Sequence, residues 1–291
     1  MVMMKQVREN PAWRKSFMTL ASDVFELSLE RWYQNGYWTD QYCPYVFIEN
    51  DTVVASAAVN HMETVWDGIP RHLIQIGTVM TAKAYRRRGL ARRLIEEILS
   101  DFEDKSDGIF LFANSTVLDF YPLFGFAPTT EYRYEWNNPR MKTSVSFVKL
   151  DMDKPQDRQT LKRCYRFSNP FSALPITGAY SLLMFHCGGA MKKHVLYSPE
   201  LDTACIAYRD GGVLVCEDLF GRADAPLNLI LSSLAGPETE TIRLGFTPKE
   251  PGNGRFVAIN PVETDETLFV MGGIGAVLAA RPARFPALSH A

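Results

Sequence analysis

Three consecutive arginines ahead of a glycine, Arg86-Arg87-Arg88-Gly89-Leu90-Ala91, are the residues of this chain best suited to chemistry on an anion. They lie between an apolar run, Leu73 to Met80, and a stretch in which Leu90, Leu94, Ile98 and Phe102 recur every four residues. The run predicts a strand, and the stretch an amphipathic helix packed on its sheet. A strand that passes through a glycine into a helix start offers several free backbone N–H groups to one anion. Arginines at a helix N-terminus oppose the macrodipole and cost roughly a few tenths of a kcal/mol each. A phosphate seated there reverses that sign. The stretch is neither G-x-x-x-x-G-K-[ST] nor G-x-G-x-x-G, so two familiar phosphate loops are set aside. A solvated basic helix start and a nucleic-acid patch remain as other readings of the same residues. A formal net charge of −2, and the lack of a second comparable basic cluster, weigh against the nucleic acid.

A second pattern follows downstream. Asn114-Ser115-Thr116-Val117-Leu118-Asp119-Phe120-Tyr121-Pro122-Leu123-Phe124-Gly125-Phe126 reads as an asparagine ending a strand, a short helix carrying Phe-Tyr, and Gly-Phe opening the next strand. Between the two patterns, Gly108 to Ala113 is an apolar run that suits a buried parallel strand. The Arg-x-x-Gly-x-Ala loop resembles the acyl-CoA pyrophosphate loop of the GNAT superfamily of N-acyltransferases, and the Asn114–Phe126 stretch resembles that family's later motif. The resemblance covers residues 5 to 150, roughly half the chain.

The resemblance implies a set of roles. Arg86, Arg87, Arg88, Gly89, Leu90 and Ala91 would hold the pyrophosphate of acetyl-CoA, the cosubstrate, and Asn114 joins the cofactor-binding residues. The strand before the loop would splay from its neighbour, with Thr78, Val79, Met80 and Thr81 pairing with the pantetheine amides. A backbone N–H near Val79 would polarise the thioester carbonyl. Tyr121 matches the family's general acid. Many members carry a carboxylate base on the central strands, whereas this strand offers Gln75. Glu63, with His61 and Asp67 close by, is the residue taken as the base, and a solvated turn is the competing reading. The activity implied is N-acetyl transfer to a small-molecule primary amine by direct attack in a ternary complex, with the acceptor left open. A non-catalytic acyl-CoA-binding module is the alternative.

The elements that must position these residues can be read around them. Pro11 to Trp32 predicts a helix, with Trp13, Phe17, Leu20, Val24 and Leu27/Leu28 at three- to four-residue spacing. Trp32 to Asp40 is aromatic and polar and would contact the acceptor or form a structural lid. Tyr45 to Glu49 and Thr52 to Met62 predict a hairpin around Asn50-Asp51, and Glu63 to Arg71 a turn. Tyr132 to Trp136 and Ser144 to Lys149 close the first unit as strands. Polar Asp151 to Gln159, with Pro155, reads as a linker.

Beyond it the order partly repeats. His194 to Tyr197, Ala204 to Arg209 and Val213 to Leu219 predict strands, Ala225 to Ala235 a helix and Thr241 to Phe246 a further strand. The expected fold is therefore α/β, with mixed sheets: a GNAT acyltransferase fold over 1–150 and a degenerate GNAT-like domain over 151–291. The corresponding loop, Phe220 to Pro226, lacks Arg-x-x-Gly-x-Ala, and Asp224 is expected to cap the following helix and repel phosphate. Gly272-Gly273-Ile274-Gly275 reads as a strand end with a turn, and Arg281 to Pro286 as an irregular or surface-draped tail.

Five scattered cysteines without a C-x-x-C argue for free thiols in a reducing compartment. The five histidines show no ligand spacing, and no metal is expected. No secretion signal opens the chain. Ile176 to Ala190, interrupted by Gly178, Ser181, His186 and Gly188, is too short to span a bilayer. The cytoplasm, with no membrane and no nucleic-acid partner, is the expectation.

Overall fold

The computed structural model describes residues 1–139, 145–222, 224–250, 255–259 and 265–291. The first half contributes β1 (Val2–Lys5), α1 (Pro11–Phe25), α2 (Glu30–Gln34), β2 (Tyr42–Glu49), β3 (Thr52–Trp66), β4 (Ile69–Thr81), α3 (Leu90–Phe102), β5 (Gly108–Asn114), β6 (Ala127–Thr129) and β7 (Arg133–Asn137). There follow β8 (Val148–Lys149), α4 (Pro155–Tyr165), α5 (Tyr180–Gly188), β9 (Val195–Ser198), β10 (Thr203–Asp210) and β11 (Val213–Gly221). The chain ends through α6 (Leu227–Leu234), β12 (Thr241–Leu244), β13 (Val257–Ile259), β14 (Glu266–Met271) and α7 (Ile274–Ala279).

These strands form two seven-stranded mixed sheets, β1-β2-β3-β4-β5-β14-β6 and β8-β9-β10-β11-β12-β7-β13. Each has one parallel pair, β4 with β5 and β11 with β12, joined by the crossover helices α3 and α6. Set side by side, the sheets correspond strand for strand, with one exchange: β14 lies next to β5, and β7 lies next to β12. The strands therefore do not divide at residue 150. The first sheet takes β14 from beyond that position, and the second takes β7 and the two-residue β8 from before it.

Local sequence explains the layers of the first sheet. In α3 the buried residues Leu90, Leu94, Ile95 and Ile98 form one face, packed with Ile74, Ile76, Ile109 and Leu111 of the sheet. Burying each such side chain contributes about 1.5–3 kcal/mol, which fixes the helix and the loop that precedes it. The opposite face packs Met62, Leu73, Phe110 and Leu268 against Ile176, Leu182 and Phe285.

Several expectations need correction. The helix expected over Pro11 to Trp32 is two helices, because Glu26 takes a left-handed conformation (φ 58°) and its N–H closes on the carbonyls of Ala21 and Ser22. The apolar spacing continues across the break since Phe17, Leu20 and Trp32 share one core. The turn expected over Glu63 to Arg71 is only Asp67-Gly68, with β3 and β4 extending to either side. The expected linker is the start of α4, with Pro155 in its first turn, where a missing N–H costs nothing. Asp224 does not cap α6: the N-cap is Pro226, without a side-chain bond. Arg281 to Pro286 is not draped over the surface, for Ala283 and Phe285 are buried, and Phe285 stacks on Phe110 with ring centroids 4.1 Å apart. Gly272-Gly273 is a strand end with a turn, as expected, with Gly272 at φ 84°, and the chain passes from it into the short α7. The expected strand over Ser144 to Lys149 is β8 at its end, while Ser144 lies outside the described residues.

Candidate active site

The loop begins where β4 ends. Arg86, Arg87, Arg88 and Gly89 are all exposed, and Leu90, the first residue of α3, is buried. Gly89 is the N-cap of α3 in the left-handed conformation, φ 74°, with no side chain capping the helix and no acid in its first turn. The first-turn amides are therefore free to take an external anion. Arg86 Nε donates to the Thr81 carbonyl (3.2 Å) and Arg88 Nη2 to that of Ala84 (2.9 Å), while Arg88 lies over the Tyr85 ring. None of the three arginines pairs with a carboxylate among the described residues.

The strand pairing creates an opening beside this loop. β4 and β5 pair in parallel from Leu73/Gly108 to Ile76/Leu111 and no further. Gly77 to Thr81 thus have no partner on the β5 side, while the last residues of β5 pair only with β14. On its other side β4 carries a bulge: Ser56 faces Met80 and Ala58 faces Gly77, so Thr78 and Val79 together oppose Ala57. Thr78 takes φ 49°, an uncommon conformation for a β-branched residue. Its hydroxyl is 2.9 Å from that of Tyr42, whose phenol is held neutral by complete burial. Beyond Ile76, β4 has no ladder partner on the β5 side among the described residues, so its main-chain groups there are left for another partner.

Tyr121 opens a single 3-10 turn, Tyr121–Phe124, and packs in the α3-side core with Phe126 and Phe269. Burial alone pushes its phenol up to about 12. Its hydroxyl has no hydrogen-bond partner among the described residues. Asn114 ends β5 and accepts from the Thr116 amide (3.0 Å) and hydroxyl (2.5 Å), holding the turn that leads to Tyr121.

Glu63 lies elsewhere. Its Oε1 is 2.6 Å from His72 Nδ1, and His72 Nε2 is 3.4 Å from His61 Nδ1. Desolvation and the neighbouring His72 lower the His61 pKa. Glu63 and His72 are ladder partners, and six strand residues, about 20 Å, separate His72 from Thr78. Trp32 and Trp38, expected near the acceptor, are buried and stack on each other within the α1–α2 core.

Sequence reading missed the segment on the far side of the wedge. His290 stacks on Phe112, and its carbonyl accepts from His186 Nε2 of α5 (2.9 Å). A methyl group on Gly77 would come within 2.9 Å of the Ala291 carbonyl oxygen. His290 and Ala291 thus lie against β5 and β4 on the side opposite α3. The one signal in the sequence was the apolar Phe285 between prolines.

The wedge, bulge and uncapped helix start occur together in one stretch, and residues 10–129 match the family model described as the acetyltransferase (GNAT) domain. This stretch is a GNAT domain. No curated protein matches the chain in sequence. Among solved structures, the chain is similar to a conserved protein of unknown function from Enterococcus faecalis V583, described as a probable N-acyltransferase, at 15% identity and TM-score 0.62, covering 92% of this chain and 71% of that one. It is similar to Eis1 from Mycobacterium abscessus at 15% identity and TM-score 0.59, covering 96% and 76%. A GCN5-related N-acetyltransferase from Kribbella flavida follows at 14% identity and TM-score 0.56, covering 92% and 70%. At these identities the likeness concerns the fold, and it extends over both sheets. The GNAT domain at the N-terminal side is followed by a second GNAT-like sheet with the same strand order.

The second sheet's counterpart to the wedge is filled. Pairing of β11 with β12 stops at Cys216/Leu244, and Glu217 is the extra residue of a bulge opposite Ile206/Ala207. Gly245 packs so closely on Glu217 that a Cβ would lie 2.5 Å from its carbonyl oxygen. Asn169 donates to the buried Asp218 (2.6 Å), and the Ala287 amide to the Gly245 carbonyl (2.8 Å), closing the gap with the chain itself.

Proposed function

We propose that the protein transfers an acetyl group from acetyl-CoA to a primary amine in the wedge between β4 and β5. The observation that carries this reading is the coincidence of three features: parallel pairing that stops at Ile76, a bulge at Thr78–Val79, and an uncapped α3 start flanked by Arg86 to Arg88. The amides around Gly89, Leu90 and Ala91, with the arginines, would hold the diphosphate. Thr78 to Thr81 would pair with the pantetheine amides, and Asn114 would border the same cleft. An N–H near Val79 would take the charge that develops on the thioester oxygen as the amine attacks.

The C–N bond forms as the C–S bond breaks, and the departing thiolate takes the proton of Tyr121. A phenol raised to about 12 stays protonated at neutral pH and can serve only as a donor. The amine's proton is assigned to Glu63, which at about 20 Å from Thr78 along the ladder requires a relay. The chain of contacts from Glu63 through His72 to His61 would be its first part.

The filled second wedge supports a structural or ligand-binding role for that half, without acyl-CoA. The alternative is a non-catalytic acyl-CoA-binding module. Measuring free thiol released from acetyl-CoA with a panel of primary amines separates the two. Release with at least one amine, lost in Tyr121→Phe, is expected. CoA binding without release across the panel would leave the module.

A further inference from the structure

A second cavity, of about 510 Å³, lies between α4, α5 and the stretch that joins α2 to β2, away from the wedge. Arg158, Lys162, Arg163 and Arg166 line it, with Tyr37 and Tyr180, and no carboxylate does among the described residues. The four cations come from one helix and the residue that follows it: 158, 162 and 166 recur at four-residue spacing, so they share a face. Three of them are exposed and Arg158 is half-buried.

Their existing partners leave most of that charge available. Arg163 is matched by Asp202 at 2.6 Å. Arg158 spends Nη1 on the carbonyls of Met152 (3.0 Å) and Asp153 (2.8 Å), which do not neutralise it. Lys162 lies over the Tyr180 ring, 5.7 Å from its centroid. Neither Lys162 nor Arg166 forms an ion pair among the described residues. The nearby acids are engaged elsewhere: Asp157 accepts from the Asp151 amide, and Asp153 is held by Arg31 and Lys192. A concave site with about three uncompensated positive charges and two tyrosines has the chemistry of an anion site, in the size range of small-molecule pockets.

We propose that this cavity binds a small organic phosphate carrying two or more negative charges. Arginine forks match phosphate oxygens pairwise, and Lys162 adds a point charge. A nucleic acid fits less well, because its phosphates need cations spread along a track, whereas these converge on one concavity. The Tyr37 carbonyl accepts from Ser181 of α5, so a ligand here would also brace the first half against the second.

The test uses inorganic pyrophosphate as probe, by calorimetry without CoA on the full chain, with Arg87→Glu/Arg88→Glu as the background of every protein so that the α3 loop does not compete for the probe. The background protein should bind one equivalent. Lys162→Glu/Arg166→Glu, both at exposed positions, should weaken that binding at least about ten-fold. A control that alters net charge equally, Lys15→Glu/Lys105→Glu, should bind as the background protein does. Unchanged pyrophosphate affinity in the Lys162→Glu/Arg166→Glu variant overturns the proposal, as does an equal loss in the control. Single-stranded DNA displacing the probe at equal phosphate concentration overturns it in favour of nucleic acid. Because the probe is read without turnover, failure here says nothing against acyl transfer, and the absence of acyl transfer says nothing against this site.

Discussion

Tyr121 combines two properties that seldom meet in a structural tyrosine: it is 5% exposed, and its hydroxyl has no partner among the described residues. The ring is buried, but its oxygen is not among the buried unpartnered atoms, so the hydroxyl reaches solvent and is open to a substrate. Tyr121→Phe is therefore expected to leave the melting temperature nearly unchanged while turnover falls about 10²-fold or more and CoA affinity holds. Thiol release, calorimetry and a thermal melt on one preparation check all three. Unchanged turnover would remove Tyr121 from the chemistry. Gly89 makes the converse case. Nothing lies within 4 Å of a Cβ built there, yet φ is 74°, so Gly89→Val has a backbone cost of about 1–2 kcal/mol and no clash to add. If the loop closes on a diphosphate, CoA affinity should fall by more than that strain accounts for, beyond about ten-fold. Equal losses in unfolding free energy and in affinity would make the glycine merely structural. Both residues were picked out in the sequence through the motifs that hold them, Arg-x-x-Gly-x-Ala and the Phe-Tyr of Asn114–Phe126. Glu63 was legible only as an acid near the right strand, and its distance from Thr78 depends on how far β3 and β4 extend.

At the scale of elements, regular periodicity was readable and local departures were not. The β2–β3 hairpin turns at Asn50 and Asp51, both with positive φ, as its residue types predict. Helix α3 runs from Leu90 to Phe102, the span that its four-residue spacing defines. The bulge at Thr78–Val79 left no trace, because a one-residue surplus against β3 depends on the partner strand and not on the residues that carry it. Helix α5 was hidden because Ile176 to Ala190 is apolar on every side, buried between the two halves, and has no periodic face. The counterpart bulge in β11 leaves Asp218 buried, and that burial pushes its carboxyl up to about 7. Its folded pKa lies above the unfolded value near 3.9, so the native state holds the proton more tightly. The associated stability is present below pH 4 and is lost as pH rises through about 7, with a span of roughly 4 kcal/mol. Asp218→Asn retains an acceptor for Asn169 and for the Leu219 amide. The variant should be more stable than wild type at pH 8, with the difference shrinking toward pH 4. Urea unfolding at pH 5 and pH 8 checks this, and parallel curves for the two proteins would show that Asp218 is not the group that titrates.

The exchange of β7 and β14 governs the molecule as a whole. Two GNAT-like sheets were readable from the repeated order of strand, helix and strand, but the exchange was not, since β7 and β14 have ordinary strand patterns that fit either sheet. Its consequence is that neither half owns a complete sheet. Without residues 151–291, β5 loses its ladder from Ile109 to Asn114, β6 loses its only partner strand among the described residues, and Phe110 loses Phe285. Without β7, β12 and β13 lose the strand between them. Each fragment would expose an unpaired edge of apolar strand, a template for aggregation. Residues 1–150 expressed alone should therefore fail to give a dispersed amide spectrum or a monomeric gel-filtration peak, although they contain the whole candidate acyl-CoA loop. Co-expressed with residues 151–291, they should recover as a one-to-one complex, because β7, β8 and β14 each pair with strands of the other fragment and tie the two together without the covalent link. A folded, monomeric 1–150 fragment that binds CoA would mean that β14 is replaceable and that the first sheet closes on β7 as a local hairpin partner of β6.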